Sequence, residues 1–165
     1  EHAKWCVKKF GIKVLVIDPW NRLETRYRQG DSDVKYLTDS LRTISAFAKQ
    51  YDIHIFLVAH PRLLNKREDG SYPVPTMYDI SGGAQWRNIA DNGMAVHRNF
   101  ENNLVEVWVQ KVRNKELGGI GMVEMEYDFK TGIYRPAPER GVSHETKHNY
   151  DSARGELGYP DHPDN

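Results

Sequence analysis

The sequence contains one cysteine, Cys6, among its 165 residues. A lone thiol excludes an internal disulfide framework and a cysteine-based zinc site, and it fits a reducing compartment. No apolar run approaches the ~20 residues that cross a bilayer, and no signal-peptide pattern opens the chain, so a soluble intracellular protein with no membrane partner is expected. Charge of one sign is also lacking, since 23 Lys and Arg balance 23 Asp and Glu. Without a global positive field, any nucleic-acid binding has to come from a local cluster of cations.

What is present suits one domain and a tail. Hydrophobic residues make up 39% of the chain, enough for a core, whereas the low mean hydropathy points to an unfolded segment. From Pro136 onward Pro, Gly, His and charge occur without apolar periodicity, so residues 136–165 read as a disordered tail whose His144, His148 and His162 are solvated. At the other end, Glu1 is no initiator Met, and Ala3 to Phe10 before Gly11 reads as the last turns of a helix with its terminating glycine. The expectation is a chain that begins inside something larger.

The run Val14-Leu-Val-Ile-Asp18 has the apolar continuity of a strand buried on both faces and ends in a carboxylate. Val34, Leu37, Leu41, Ile44 and Ala48 then recur at helical spacing, and Ile53 to Ala59 is a second apolar run that stops at His60. Strand, helix and strand at this spacing predict a parallel βαβ unit. Residues 61–80 read as a long loop carrying Arg62, Lys66 and Arg67. Ser81 to Asp91 reads as a flexible entry followed by a helix, Met94 to His97 as a short strand, and Leu104 to Arg113 with Ile120 to Phe129 as strands of a meander.

Asp18 and His60 end two strands of one expected sheet, so both can project over the crevice where open α/β sheets bind ligands. Asp18 is therefore a candidate Mg²⁺ holder beside a nucleotide. An Asp-Pro turn for Asp18 and a strand-capping role for His60 are the alternatives. In Gln110-Lys111-Val-Arg113-Asn the two cations are two residues apart, hence on one strand face, and a planar guanidinium with a point-charge ammonium suits a polyphosphate. Ordinary cross-strand pairing with Glu124 and Glu126 would also account for them.

Taken in order, the strand ending in Asp18, Val58-Ala-His60, Asp79-Ile-Ser-Gly-Gly-Ala-Gln-Trp-Arg-Asn with Ala90-Asp91, and Gln110-Lys-Val-Arg113-Asn resemble the motor domain of DnaB-type replicative hexameric helicases, especially the branch fused to primase-like domains in phages and in mitochondrial Twinkle. The resemblance spans about residues 5–135. It implies an α/β fold, a RecA-like P-loop NTPase core with a mainly parallel sheet and a carboxyl-terminal antiparallel meander, in which residues 1–135 are the later part of the motor. It further implies ATP, or another NTP, with Mg²⁺ as cofactors. Asp18 resembles the Walker B acid and His60 the sensor between γ-phosphate and DNA. Arg113 resembles an arginine finger and Lys111 its companion, both reaching the ATP of a neighbouring subunit, a device worth roughly 10³ to 10⁵ in rate. Arg87 and Asn88 stand where the family often has Arg-Gln, the amide here being one methylene shorter. The loop from Pro61 is similar to the central-channel loop, which puts Arg62, Lys66 and Arg67 beside the phosphates of single-stranded DNA. Implied partners are that DNA, further copies in a homo-hexamer or similar ring, and a fused primase-like domain. The implied location is the cytoplasm of a bacterium or a phage-infected cell, with the mitochondrial matrix second.

No G-x-x-x-x-G-K-[ST] occurs in the chain, and the glycines at 82–83 and 118–119 precede no Lys-Ser or Lys-Thr. The phosphate loop and the catalytic Glu are thus expected upstream. Three other readings compete: a non-catalytic single-stranded nucleic-acid module using Trp86 or Trp108, a RecA-type recombinase core, and a metal-dependent hydrolase using Asp18, His60 and His97.

Overall fold

Helix α1, His2–Phe10, closes on Gly11, whose φ of 64° is left-handed and whose N–H reaches the Val7 carbonyl at 2.9 Å. The terminating glycine is thus in the conformation that its lack of a Cβ makes cheap. The computed structural model to which α1 belongs describes residues 1–23, 32–100 and 102–138. The expected tail from residue 139 onward, with its three histidines, and most of the polar stretch before α2 lie outside the described residues.

The described chain forms two compact units, the first made of Glu1–Asn65 with Met77–Asp91 and the second of Lys66–Thr76 with the residues from Asn92 onward. In the first, β1 (Val14–Ile17) pairs in parallel with β2 (His54–Leu57), Ile17 facing Leu57. Between them α2 runs Asp33–Tyr51, about a turn longer than its apolar periodicity suggests. Both ends explain the extra length. Ser32 caps the start by accepting the Lys35 N–H at 3.3 Å, and left-handed Asp52 closes the other end with its N–H on the Ala48 and Lys49 carbonyls. A short 3₁₀ turn, Met77–Asp79, leads to α3, Gly83–Ile89.

The core of this unit is Leu37 and Leu41 of α2, Met77 and Trp86, with Leu57, Ala59 and Trp20 packed against them. Alternation along β2 sends Ile55 and Leu57 inward and leaves His54 and Phe56 exposed. Trp86 also donates its indole N–H to the Ser81 carbonyl at 3.0 Å, so its polar edge is satisfied inside the core. It is only 4% exposed.

The second unit is a four-stranded antiparallel meander in the order β3 (Asn92–Asn99), β4 (Leu104–Val112), β5 (Gly121–Asp128), β6 (Ile133–Pro136). Asp128 organises the last hairpin by accepting the Thr131 hydroxyl at 2.7 Å and the Lys130 N–H at 2.9 Å, while Gly132 takes a φ of 70°. These bonds hold the Asp128 carboxyl below its ordinary value, the Thr131 hydroxyl contributing most. Pro136, where the expected tail starts, is the last residue of β6, and Ala137 N–H still reaches the Glu124 carbonyl at 2.9 Å.

The register sorts the sheet into unlike faces. Val96, Val107 and Val123 form one row, and His97, Glu106 and Glu124 form the adjacent row on the opposite face. Buried Glu106 accepts from the Asn99 amide at 3.0 Å and the Trp108 indole at 2.8 Å, so neither oxygen is left unpartnered. Aromatic residues that look scattered along the sequence gather here, with Tyr127 4.9 Å from Phe129 and 4.8 Å from Tyr134. Among the described residues no helix is long and apolar enough to cross a membrane.

Candidate nucleotide and nucleic-acid site

Asp18 immediately follows β1 and His60 lies three residues past the end of β2, both exposed. Main-chain bonds continue the pairing beyond the strands: Val58 N–H reaches the Ile17 carbonyl at 2.9 Å, and Trp20 N–H reaches the Val58 carbonyl at 2.7 Å. His60 N–H then donates to the Asn21 side-chain oxygen at 3.4 Å. The two residues read from the sequence as a pair thus sit on tethered ends of neighbouring parallel strands, as a crevice at the strand carboxyl ends requires.

Trp20 connects this crest to α3, its ring 5.6 Å from that of Trp86 and nearly perpendicular to it. The helix carries Arg87 and Asn88. Arg87 places its guanidinium 5.7 Å over the Tyr78 ring. Arg62 meets the same residue from the backbone side, donating from Nη2 to the Tyr78 carbonyl at 3.2 Å and from Nε to the Asp79 carbonyl at 3.4 Å, while its own N–H reaches Asp79 at 2.7 Å. Tyr78 is therefore a junction for two candidate cations. Part of the donor capacity of Arg62 is committed to holding the loop base, which its sequence reading as a phosphate contact did not anticipate.

In the other unit, Lys66 places its ammonium 5.2 Å over the Tyr72 ring. Arg67 begins a tight turn: its N–H reaches the Ser71 carbonyl at 2.9 Å, and Gly70 N–H returns to the Arg67 carbonyl at 3.0 Å. Asp69 locks the turn by accepting the Ser71 N–H at 2.8 Å. Hydrogen bonds from Ser71, side chain first and then backbone, hold the Asp69 carboxyl below its ordinary value, with Arg67 adding to the effect. The turn thus presents Lys66 and Arg67 directly beside Glu68 and Asp69.

Lys111 lies on β4 opposite Gly93, and Arg113 is the first residue past the strand. The register overturns the cross-strand account of these cations. Glu124 faces Glu106, and Glu126 faces Arg135. The ladder with β5 ends at Val109, before either cation is reached.

The structure also weighs the competing readings. Trp86 is a core residue and cannot serve as a stacking platform. Among the described residues no three His, Cys, Asp or Glu side chains come together to hold a metal, so Asp18, His60 and His97 do not form the cluster that a metal-dependent hydrolase needs. One exposed carboxylate does fit Mg²⁺ arriving with a nucleotide, because that ion takes one or two carboxylates and completes its shell with phosphates and water. Sequence reasoning missed Tyr78, Asn21 and Gln110, whose parts depend on contacts 16 to 39 residues away.

No protein-family model matches the sequence. Over 143 residues, 84% of this chain, the sequence is 40% identical to the Twinkle homolog protein, chloroplastic/mitochondrial, of Arabidopsis thaliana, and the match spans 20% of that protein's length. The fold matches the solved structure of a DnaB-like replicative helicase studied for its interactions with primase, with a TM-score of 0.66 at 20% identity over 82% of this chain and 34% of the other. Parallel strands followed by an antiparallel meander are therefore the fold of that DnaB-like structure, and the sequence match together with it supports a DnaB-type helicase domain of the Twinkle branch.

Proposed function

We propose that the chain is part of the motor of an ATP-dependent replicative DNA helicase, a ring that translocates on single-stranded DNA with Mg-ATP between subunits. The observation that carries this reading is the 40% identity to a Twinkle homologue across most of the chain. The tethered strand ends that present Asp18 and His60 support it.

In this reading Asp18 would hold Mg²⁺, which supplies charge neutralisation on the phosphates, and His60 senses the phosphate end from the adjacent strand. Lys111 and Arg113 extend from the end of β4 toward the nucleotide of a neighbouring subunit, and Arg87 and Asn88 lie near the subunit boundary. Arg62, Lys66 and Arg67 belong to a loop that follows the DNA backbone. Phosphoryl transfer needs charge stabilisation and alignment more than covalent help, so placing cations in trans makes turnover depend on assembly. A primase-like domain in the same polypeptide is part of the proposal. So is an organellar location, the compartment given in the name of the Arabidopsis relative, in place of the cytoplasm expected from the sequence.

The test is Arg113→Ala in the intact protein. Steady-state ATP turnover should fall by about 10³ or more, while nucleotide affinity and ring size stay near wild type. Wild-type turnover would remove Arg113 from the mechanism. Directional duplex unwinding separates the helicase from a recombinase, which would exchange strands.

A further inference from the structure

Gln110 lies beside the cation pair and is 3% exposed, an unusual burial for an amide. Its Nε2 donates at 2.7 Å to the carbonyl of Pro75, in the loop segment that also bears Lys66 and Arg67. Its Oε1 is buried without a hydrogen-bond partner among the described residues. A half-satisfied buried amide is costly, so a single strong contact holds it there at the expense of the other.

The strand geometry shows what that contact can do. Gly93 of β3 faces Lys111, whereas the next residue, Met94, faces Val109, so Gln110 is the extra residue of a β-bulge. Bulges re-aim the side chains that follow them. Here the residues that follow are Lys111, Val112 and Arg113. The ladder to β5 ends at Val109, and the ladder to β3 continues to Val112. From Gln110 onward the strand end is thus laddered to β3 and braced from the loop through Pro75.

We propose that Gln110 is a positioning residue that couples the loop of residues 66–76 to the cation-bearing end of β4. Engagement of single-stranded DNA by the loop moves or fixes the Pro75 carbonyl, the bulge follows through Gln110, and Lys111 and Arg113 are aimed for the phosphates of the neighbouring subunit. Gln110 itself touches neither DNA nor nucleotide. The inference rests on the helicase reading and adds to it a route by which DNA accelerates hydrolysis.

The experiment compares ATP turnover of the intact protein with and without saturating oligo-dT, for wild type, Gln110→Leu, Gln110→Glu and Arg113→Ala. Leucine fills a similar volume without a donor, and glutamate keeps the length while replacing the amide N–H donors by a carboxyl group. Both Gln110 variants should keep DNA-independent turnover within about twofold while their stimulation by DNA falls at least about fivefold, the lower end of ordinary coupling between sites. Stimulation is a ratio taken within one preparation, so a smaller folded fraction cancels and a merely structural role would not move it. Unchanged stimulation in either variant would overturn the coupling. If Arg113→Ala turns over normally, or wild type is not stimulated by DNA, the helicase reading itself fails. Loss of turnover in Arg113→Ala beside full stimulation in Gln110→Leu would discard the strut alone.

Discussion

Gly83→Ala tests whether the junction at Tyr78 depends on a close backbone approach. Gly83 is buried at the start of α3, and a Cβ there would sit 2.5 Å from Tyr78 Cα and 2.6 Å from its carbonyl carbon, and against its carbonyl oxygen. These are backbone atoms, so no rotamer change relieves the overlap. Either α3 or the 3₁₀ turn must shift. Alanine gains about 1 kcal/mol of helix propensity over glycine, whereas forcing atoms into a packed contact costs about 1–3 kcal/mol and more when only backbone can yield. The net expectation is a loss of about 1–2 kcal/mol, or a 5- to 30-fold larger open population. Hydrogen exchange resolved to the peptide covering residues 83–91 reads it directly, through amides such as Ala90 N–H, bonded to the Trp86 carbonyl at 3.0 Å. Gly119→Ala is the control, because no atom lies within 4 Å of its Cβ position and its φ is not positive. There, alanine should be neutral or stabilise by up to about 1 kcal/mol. Equal exchange in the two variants would refute the close-packing argument and remove the reason for a glycine at position 83.

Two further outcomes follow from the loop base and the last hairpin. Arg62→Ala should both weaken single-stranded DNA binding and raise protease sensitivity of residues 61–80, whereas Arg62→Lys keeps the charge but not the two-pronged hold on Tyr78 and Asp79; equal protease sensitivity in all three proteins would leave Arg62 no anchoring role. Asp128 has a folded-state pKa below its ordinary 3.8, so its contribution is fully present above that value and is lost as pH falls through the lower folded value. Thermal unfolding of wild type and Asp128→Asn should therefore differ at neutral pH and converge on acidification below pH 3.8, and a difference independent of pH would put the turn's stability elsewhere.

The sequence made legible those features that short-range pattern determines. Apolar runs ending in a polar residue located β1 and β2, and the 3.6-residue recurrence of Leu37, Leu41 and Ile44 located α2. Asp18 and His60 were legible as a pair because parallel pairing brings the ends of both strands to one edge. The bulge at Gln110 was not, since an inserted residue leaves the run Val105 to Val112 looking like an uninterrupted strand. Nor was the register between β4 and β5, which sets Glu124 opposite Glu106, five residues short of Lys111. The anchoring of Arg62 was hidden for another reason. Its acceptors are main-chain carbonyls, which every residue carries, so no side-chain pattern announces them.

The same contacts bear on how such a chain would hold DNA. Arg62, Lys66 and Arg67 share residues 61–80 with Glu68, Asp69 and Asp79, so the loop carries no net charge, and Arg62 already donates to two carbonyls. Each neutralised phosphate on a single strand contributes about −0.7 to the slope of log affinity against log salt. A single copy of this loop would thus give a slope near −1 to −2 and weak binding. Repetition around a ring changes the arithmetic, because each added copy engages a strand already held nearby and avidity can exceed a single site by about 10² to 10⁴. In the proposed helicase, DNA affinity is then a property of assembly, as the trans placement of Arg113 makes hydrolysis. Near-neutral loops suit that arrangement: a subunit that binds weakly by itself can release and re-engage during translocation while its neighbours keep the strand.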